Sequence, residues 1–274
     1  MDLELKGKKA IVTGGSRGIG KCVAQTLVNE GAEVGICARN EEEVKAAVDN
    51  LSSGGSKVIG GVADVGDGDP YKAWITSAVE DLGGLDLFVA NVSAGGGNNA
   101  EEGWKANFEV DVLGTVRGIE TVTPALSGSK GSVVIISTTT AIENGPGAGA
   151  YGAMKAALMN LSSAKAQELA PQGVNCNVVS PGPIYIEGGA WNFIKDNLDK
   201  PWNWEQISRN SFTYEKELFI EKQMKEYLMC YKIQQYYWKA ITNLHCQIGY
   251  NKINRDYDKL FTDDGRIKKL RSDF

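Results

Sequence analysis

The chain has 274 residues, 42% hydrophobic and 23% charged, with a net charge of −5. That composition supports a large core and argues against wholesale disorder and against a nucleic-acid or anionic-membrane surface spread over the chain. A single histidine (His245) and five scattered cysteines (22, 37, 176, 230 and 246) argue against a zinc site and a histidine-based triad.

In chain order, short apolar runs alternate with longer amphipathic stretches. A strand is predicted over Lys9–Thr13, a glycine-rich turn follows, and a helix over Gly18–Glu30. Next come a strand over Glu33–Ala38, a helix over Glu41–Leu51, a strand over Lys57–Val62 and a helix over Asp69–Leu82. Further strands are predicted over Leu85–Asn91, Gly131–Ser137 and Asn175–Ser180. Most of these runs are too apolar for a half-exposed sheet, which points to parallel strands covered on both faces. The alternation predicts an α/β fold, a Rossmann-like doubly wound parallel sheet.

Composition then breaks. Residues 199–274 contain no Val and only two Gly, yet hold 14 of the 23 aromatics. Residues 1–198 are therefore read as one domain, the α/β part that carries the candidate cofactor-binding residues below, and 199–274 as a helical, aromatic-rich segment. In that segment Ile220, Met224, Leu228 and Tyr231 form an apolar stripe on a helix predicted from about Thr213 to Thr242. No membrane-length apolar run occurs, and the charged start lacks signal-peptide character, so a cytoplasmic protein without membrane or nucleic-acid partners is expected.

The candidate chemistry lies in the first part. Gly14, Ser16, Arg17, Gly18, Ile19 and Gly20 follow the first strand and open a helix. Such a turn presents backbone N–H groups and the positive end of a helix dipole to a pyrophosphate. The second strand ends at Arg39-Asn40 with no acid for ribose hydroxyls. Arg39 and Arg17 are candidates for a 2′-phosphate, which favours NADP over NAD. Asp64-Val65 and Asn91 fall at carboxyl ends of strands, where ligands bind in such sheets. Tyr151 and Lys155 are four apart and share a helix face. An ammonium beside a phenol is expected to lower its pKa toward working pH, suiting proton exchange with a carbonyl or alcohol during hydride transfer. Thr138, or its neighbour Ser137, is placed to orient a substrate carbonyl. No metal site is expected.

Residues 5–195 resemble the short-chain dehydrogenase/reductase family. The glycine motif matches at 13–20, the adenine-contacting Asp at Asp64 and the Tyr-x-x-x-Lys pair at Tyr151 and Lys155. The Pro-Gly segment that meets the nicotinamide matches at Ser180-Pro181-Gly182-Pro183-Ile184. The resemblance implies reversible hydride transfer between NAD(P)H and a small-molecule carbonyl or alcohol substrate, with NADP(H) the form favoured by Arg17 and Arg39, and a possible homo-oligomer. Relatives with this opening include many 3-oxoacyl-carrier-protein reductases.

The chain departs from the family pattern in several places. Thr138 stands at the catalytic serine position, and Asp111 aligns with the tetrad asparagine. Of the Asn-Asn-Ala-Gly motif only Asn91 remains. A carboxylate cannot donate as an amide does, so Asp111 is expected to alter the proton relay to Lys155. The family's seventh strand and Asp-Gly-Gly are missing from 199–274, so a helical segment is expected in place of the usual last helix and strand. Asn197–Trp204 and Tyr231–Tyr236 resemble repeat-and-tail segments of uncharacterised giant-virus proteins. Two other readings stay open on these departures: a dinucleotide-binding scaffold with little turnover and a partner-binding tail, or a chimeric chain.

Overall fold

The computed structural model describes residues 3–96, 98–143, 148–182 and 184. The tail helix, Pro183 and the segment replacing the family's last helix and strand lie outside the described residues.

Six strands form one parallel sheet: β1 Lys9–Thr13, β2 Glu33–Ala38, β3 Val58–Val62, β4 Leu87–Ala90, β5 Ser132–Ile136 and β6 Asn175–Val179. Their order is β3-β2-β1-β4-β5-β6, so the direction of strand addition reverses between β1 and β4. This is the doubly wound architecture expected from the alternating runs. The helices are α1 Gly18–Asn29, α2 Glu41–Ser52, α3 Gly68–Leu82, α4 Glu101–Asn107, α5 Gly114–Ser129 and α6 Gly149–Leu169. A π-helical turn, Phe108–Leu113, joins α4 to α5. Such a turn holds one residue too many for regular i→i−4 pairing and re-aims its side chains.

The central strands β1, β2, β4 and β5 are largely buried while the edge strands β3 and β6 are partly exposed, and the core gathers Ile11, Phe88, Val133 and Ile135 from the sheet with Tyr71, Ile75, Ile119 and Leu158 from helices. Full burial of each such side chain contributes about 1.5–3 kcal/mol relative to exposure. Glycine sets two close approaches in this core. A Cβ on Gly118 of α5 would lie 2.7 Å from the Phe88 ring, and one on Gly114 would lie 2.2 Å from Val65. The helix can therefore lie directly on β4 only because these positions lack a side chain.

Local sequence sets the helix ends. The Asn40 side chain accepts a hydrogen bond from Glu43 N at 2.9 Å, capping α2, whose first turn carries Glu41, Glu42 and Glu43. Three acids at the positive end of the helix dipole favour the start there. Helix α3 ends on Gly83 at φ 71°, a left-handed conformation that suits glycine. No described helix is long and apolar enough to cross a membrane. Among the described residues no cluster of three or more His, Cys, Asp or Glu is arranged to hold a metal ion.

Candidate active site

The strand order reverses between β1 and β4, and the crevice this leaves at their carboxyl ends borders a narrow gap lined by Thr13, Ala90, Val92, Val65, Val110 and Thr115. That is the position at which open α/β sheets bind ligands. Thr13 fastens its two sides, donating to Val89 O at 3.3 Å and accepting from Asn91 N at 2.9 Å.

The glycine turn sits on one side of the crevice. Gly14 and Gly15 donate their N–H groups to Cys37 O at 2.8 and 3.2 Å, which ties the turn to the end of β2. A Cβ on Gly20 would fall 2.3 Å from Gly14 O and 2.6 Å from Asn91 Nδ2, so the turn closes only with glycine there. Gly14 and Gly18 have φ of 66° and 58°, a conformation costly for other residues. Asn91 Nδ2 donates to Thr13 O at 3.0 Å, holding the loop after β4 against the turn. The α1 N-terminus has no side-chain cap, and the half-buried Ile19 lies in its first turn. An uncapped helix start behind a glycine turn fits an anionic pyrophosphate group.

The charged residues on this side are exposed. Arg17 projects with 80% of its side chain accessible and lies 3.9 Å from Glu43 Oε1. Ser16 Oγ donates to Glu43 Oε2 at 3.3 Å. Arg39 is exposed at the end of β2. Asn40, expected at the cofactor, commits its side-chain oxygen to capping α2. Asp64 accepts from Gly66 N at 2.9 Å in the loop after β3, and Val65 is buried beneath Gly114. Glu43 was not singled out from sequence. Its spacing from Asn40 is that of a capping box, and that spacing was the available signal.

The other side carries the buried groups. Tyr151 and Lys155 rise from the first turns of α6, with Lys155 Nζ 6.0 Å from the Tyr151 ring centroid. Asn99 supports this helix start, its Oδ1 accepting from Ala150 N at 3.2 Å; nothing in the sequence reading marked it. Lys155 is 2% exposed, donates to Ile136 O at 3.0 Å and lies 3.0 Å from Asp111 Oδ1. Asp111 is wholly buried on the π-turn, and its Oδ2 accepts from Ala94 N at 3.0 Å. Burial lowers the Lys155 pKa, and the Asp111 carboxylate opposes that shift.

Two expectations are corrected here. The phenol of Tyr151 is raised above its ordinary value, not lowered: burial comes first, the Thr138 hydroxyl opposes it, and the Asp111 charge adds to it. The lysine expected to lower it is paired with a carboxylate. Ser137 is not the hydroxyl at the phenol, because its Oγ donates to Lys155 O at 2.9 Å and anchors α6. Thr138 is the hydroxyl that opposes the upward shift of the phenol, and its Oγ1 accepts from Thr140 N at 3.3 Å. Pro181 follows β6 and accepts from Thr139 N at 3.0 Å, bringing Pro181-Gly182 beside the Thr138 loop; Ile184 is half-buried.

The sequence profile of the short chain dehydrogenase family matches residues 8–191. The chain belongs to that family. It is 32% identical over 208 residues to isoepoxydon dehydrogenase patN of Penicillium expansum, an alignment covering 74% of this chain and 80% of that one. It is 31% identical over 209 residues to the 3-oxoacyl-[acyl-carrier-protein] reductase FabG of Chlamydia muridarum, covering 74% and 83%. A solved short chain dehydrogenase from Burkholderia cenocepacia, in complex with NADP, superposes with a TM-score of 0.64 at 31% identity, covering 68% of this chain and 80% of that one. The protein is thus a short-chain dehydrogenase by fold and family, and an oxidoreductase of a class that binds NAD(P).

Proposed function

We propose that the protein is an NADPH-dependent reductase of a small carbonyl compound, with Tyr151 as proton donor. The observation that carries this reading is the pairing of Tyr151 and Lys155 on one face of α6, with Lys155 Nζ 6.0 Å from the Tyr151 ring centroid, beside the crevice where the strand order reverses. A phenol that stays protonated can give its proton to a carbonyl oxygen as that oxygen gains negative charge. A bound nicotinamide supplies the hydride for the carbonyl carbon. Thr138 orients the phenol and the substrate oxygen, while Lys155 holds the nicotinamide ribose. Gly14, Gly18, Ile19 and Gly20 take the pyrophosphate; Asp64, Val65 and Asn91 border the adenine and ribose side. Pro181, Gly182 and Ile184 border the nicotinamide.

The preference for the phosphorylated cofactor rests on Arg17 and Arg39, two exposed cations on the adenosine side without a neighbouring strand-end acid. The NADP bound by the Burkholderia cenocepacia relative supports it. Binding of NADPH and NADH, followed by cofactor fluorescence, tests this directly. NADPH is expected to bind more tightly, and equal affinities refute the preference. An NADPH-oxidation screen over ketones, aldehydes and acyl thioesters tests the activity, and turnover of none of the three classes refutes the reductase reading.

A further inference from the structure

One buried charge pair ties together elements distant in sequence. Asp111, with no solvent exposure, receives Ala94 N from the loop after β4 on Oδ2 and faces Lys155 of α6 with Oδ1. The 3.0 Å approach to the ammonium is off the axis of an aligned hydrogen bond, so this is an ion pair more than a directed bond. The ammonium donates instead to Ile136 O at the end of β5. A buried carboxylate requires such a partner. The consequence falls on the neighbouring phenol. An uncompensated ammonium one helical turn away favours phenolate, whereas an ammonium neutralised by a carboxylate leaves little field to do so.

Resting on the reading of Tyr151 as proton donor, we propose that Asp111 is a positioning residue that neutralises Lys155 and so withholds from Tyr151 the cation that would favour phenolate, shifting deprotonation of an alcohol at this site to higher pH. Other charges around α6 are compensated or remote among the described residues. Glu109 of the π-turn pairs with Arg117, and on α4 Glu101 pairs with Lys105 at the surface while Glu102 is exposed. Cys176 of β6 turns to Ser162, Lys165 pairs with Glu168 further along α6, and Glu143 is exposed. The upward shift of the phenol, to which the Asp111 charge contributes, agrees with this geometry.

The test needs neither cofactor nor substrate. Ultraviolet difference titration of the full chain against Tyr151→Phe isolates one phenol among the ten tyrosines. The same difference is then taken between Asp111→Asn and the double variant. In the wild type the midpoint is expected above the ordinary value of about 10. In Asp111→Asn, which keeps an oxygen for Ala94 N, it is expected to fall by about one pH unit or more. Equal midpoints in the two backgrounds overturn the proposal. Should Asp111→Asn fail to fold, Lys155→Met decides in its place: a Tyr151 midpoint unchanged from the wild type supports an ammonium already neutralised by Asp111, and a midpoint raised by about a unit or more overturns the proposal. Failure of the underlying reading is visible separately, as undiminished NADPH oxidation by Tyr151→Phe.

Discussion

The two sides of the crevice are built on opposite electrical terms. On the side of β1, β2 and β3, charge sits in water: Arg17 is 80% accessible, Arg39 is exposed, and Glu43 approaches Arg17 only to 3.9 Å. On the side of β4, β5 and β6, charge is sealed in: Lys155 and Asp111 are 2% and 0% exposed and 3.0 Å apart. Exposed pairs are screened and contribute at most about 1 kcal/mol, while a buried ion left without its partner is costly. The difference teaches that the first side can adjust which cofactor it prefers at little cost to the fold. The second side cannot change its charges without disturbing both chemistry and stability.

Substitutions can break or sharpen that contrast. The largest effect is expected from Tyr151→Phe, which should lower turnover by about 10²–10⁴-fold while leaving NADPH affinity unchanged, as read by steady-state rates and fluorescence titration. Lys155→Met should cost roughly 3–5 kcal/mol of stability by urea denaturation, because Asp111 would be buried without a cation. A much smaller loss would mean that the buried side tolerates charge changes as the exposed side does. Gly20→Ala should weaken binding of either cofactor by about tenfold or more, since its Cβ would press on Gly14 O at 2.3 Å and open the turn; unaltered binding would mean that the turn can shift at no cost. The smallest effect belongs to Glu43→Gln. Removing the acid that holds Ser16 and Arg17 should tighten NADPH by a few-fold at low salt and NADH less, with the gain fading as salt rises. An equal gain for both cofactors would detach Glu43 from recognition of the 2′-phosphate.

Much of the sheet was legible because parallel strands buried on two faces announce themselves as apolar runs. Lys9–Thr13 and Glu33–Ala38 were placed to the residue, and the runs after them differ only at their ends. The ends differ because hydrogen bonding, not hydrophobicity, closes a strand: Leu85 lies in the core, yet pairing in β4 begins at Leu87. The spacing of Tyr151, Lys155 and Thr138 was likewise legible, since it follows from one helix face and one strand end. What was not legible depends on partners far along the chain. That Ser137 turns to a main-chain carbonyl and Thr138 to the phenol is decided by which way each faces at the end of β5. The upward direction of the Tyr151 shift is set first by burial, and Asp111, forty positions upstream and brought inward by a π-turn that no periodicity signals, adds to it.

The main chain of Cys37 carries a lesson for redesign. Its thiol is sealed in the core and pushed up to about 12 by burial, so it offers no reactivity to exploit. Its carbonyl, however, receives both amides of the glycine turn. Anyone altering the coenzyme preference of this chain by grafting a foreign β2–α2 junction should therefore splice after that peptide plane. A graft that tilts it would loosen the glycine turn before the new side chains could act.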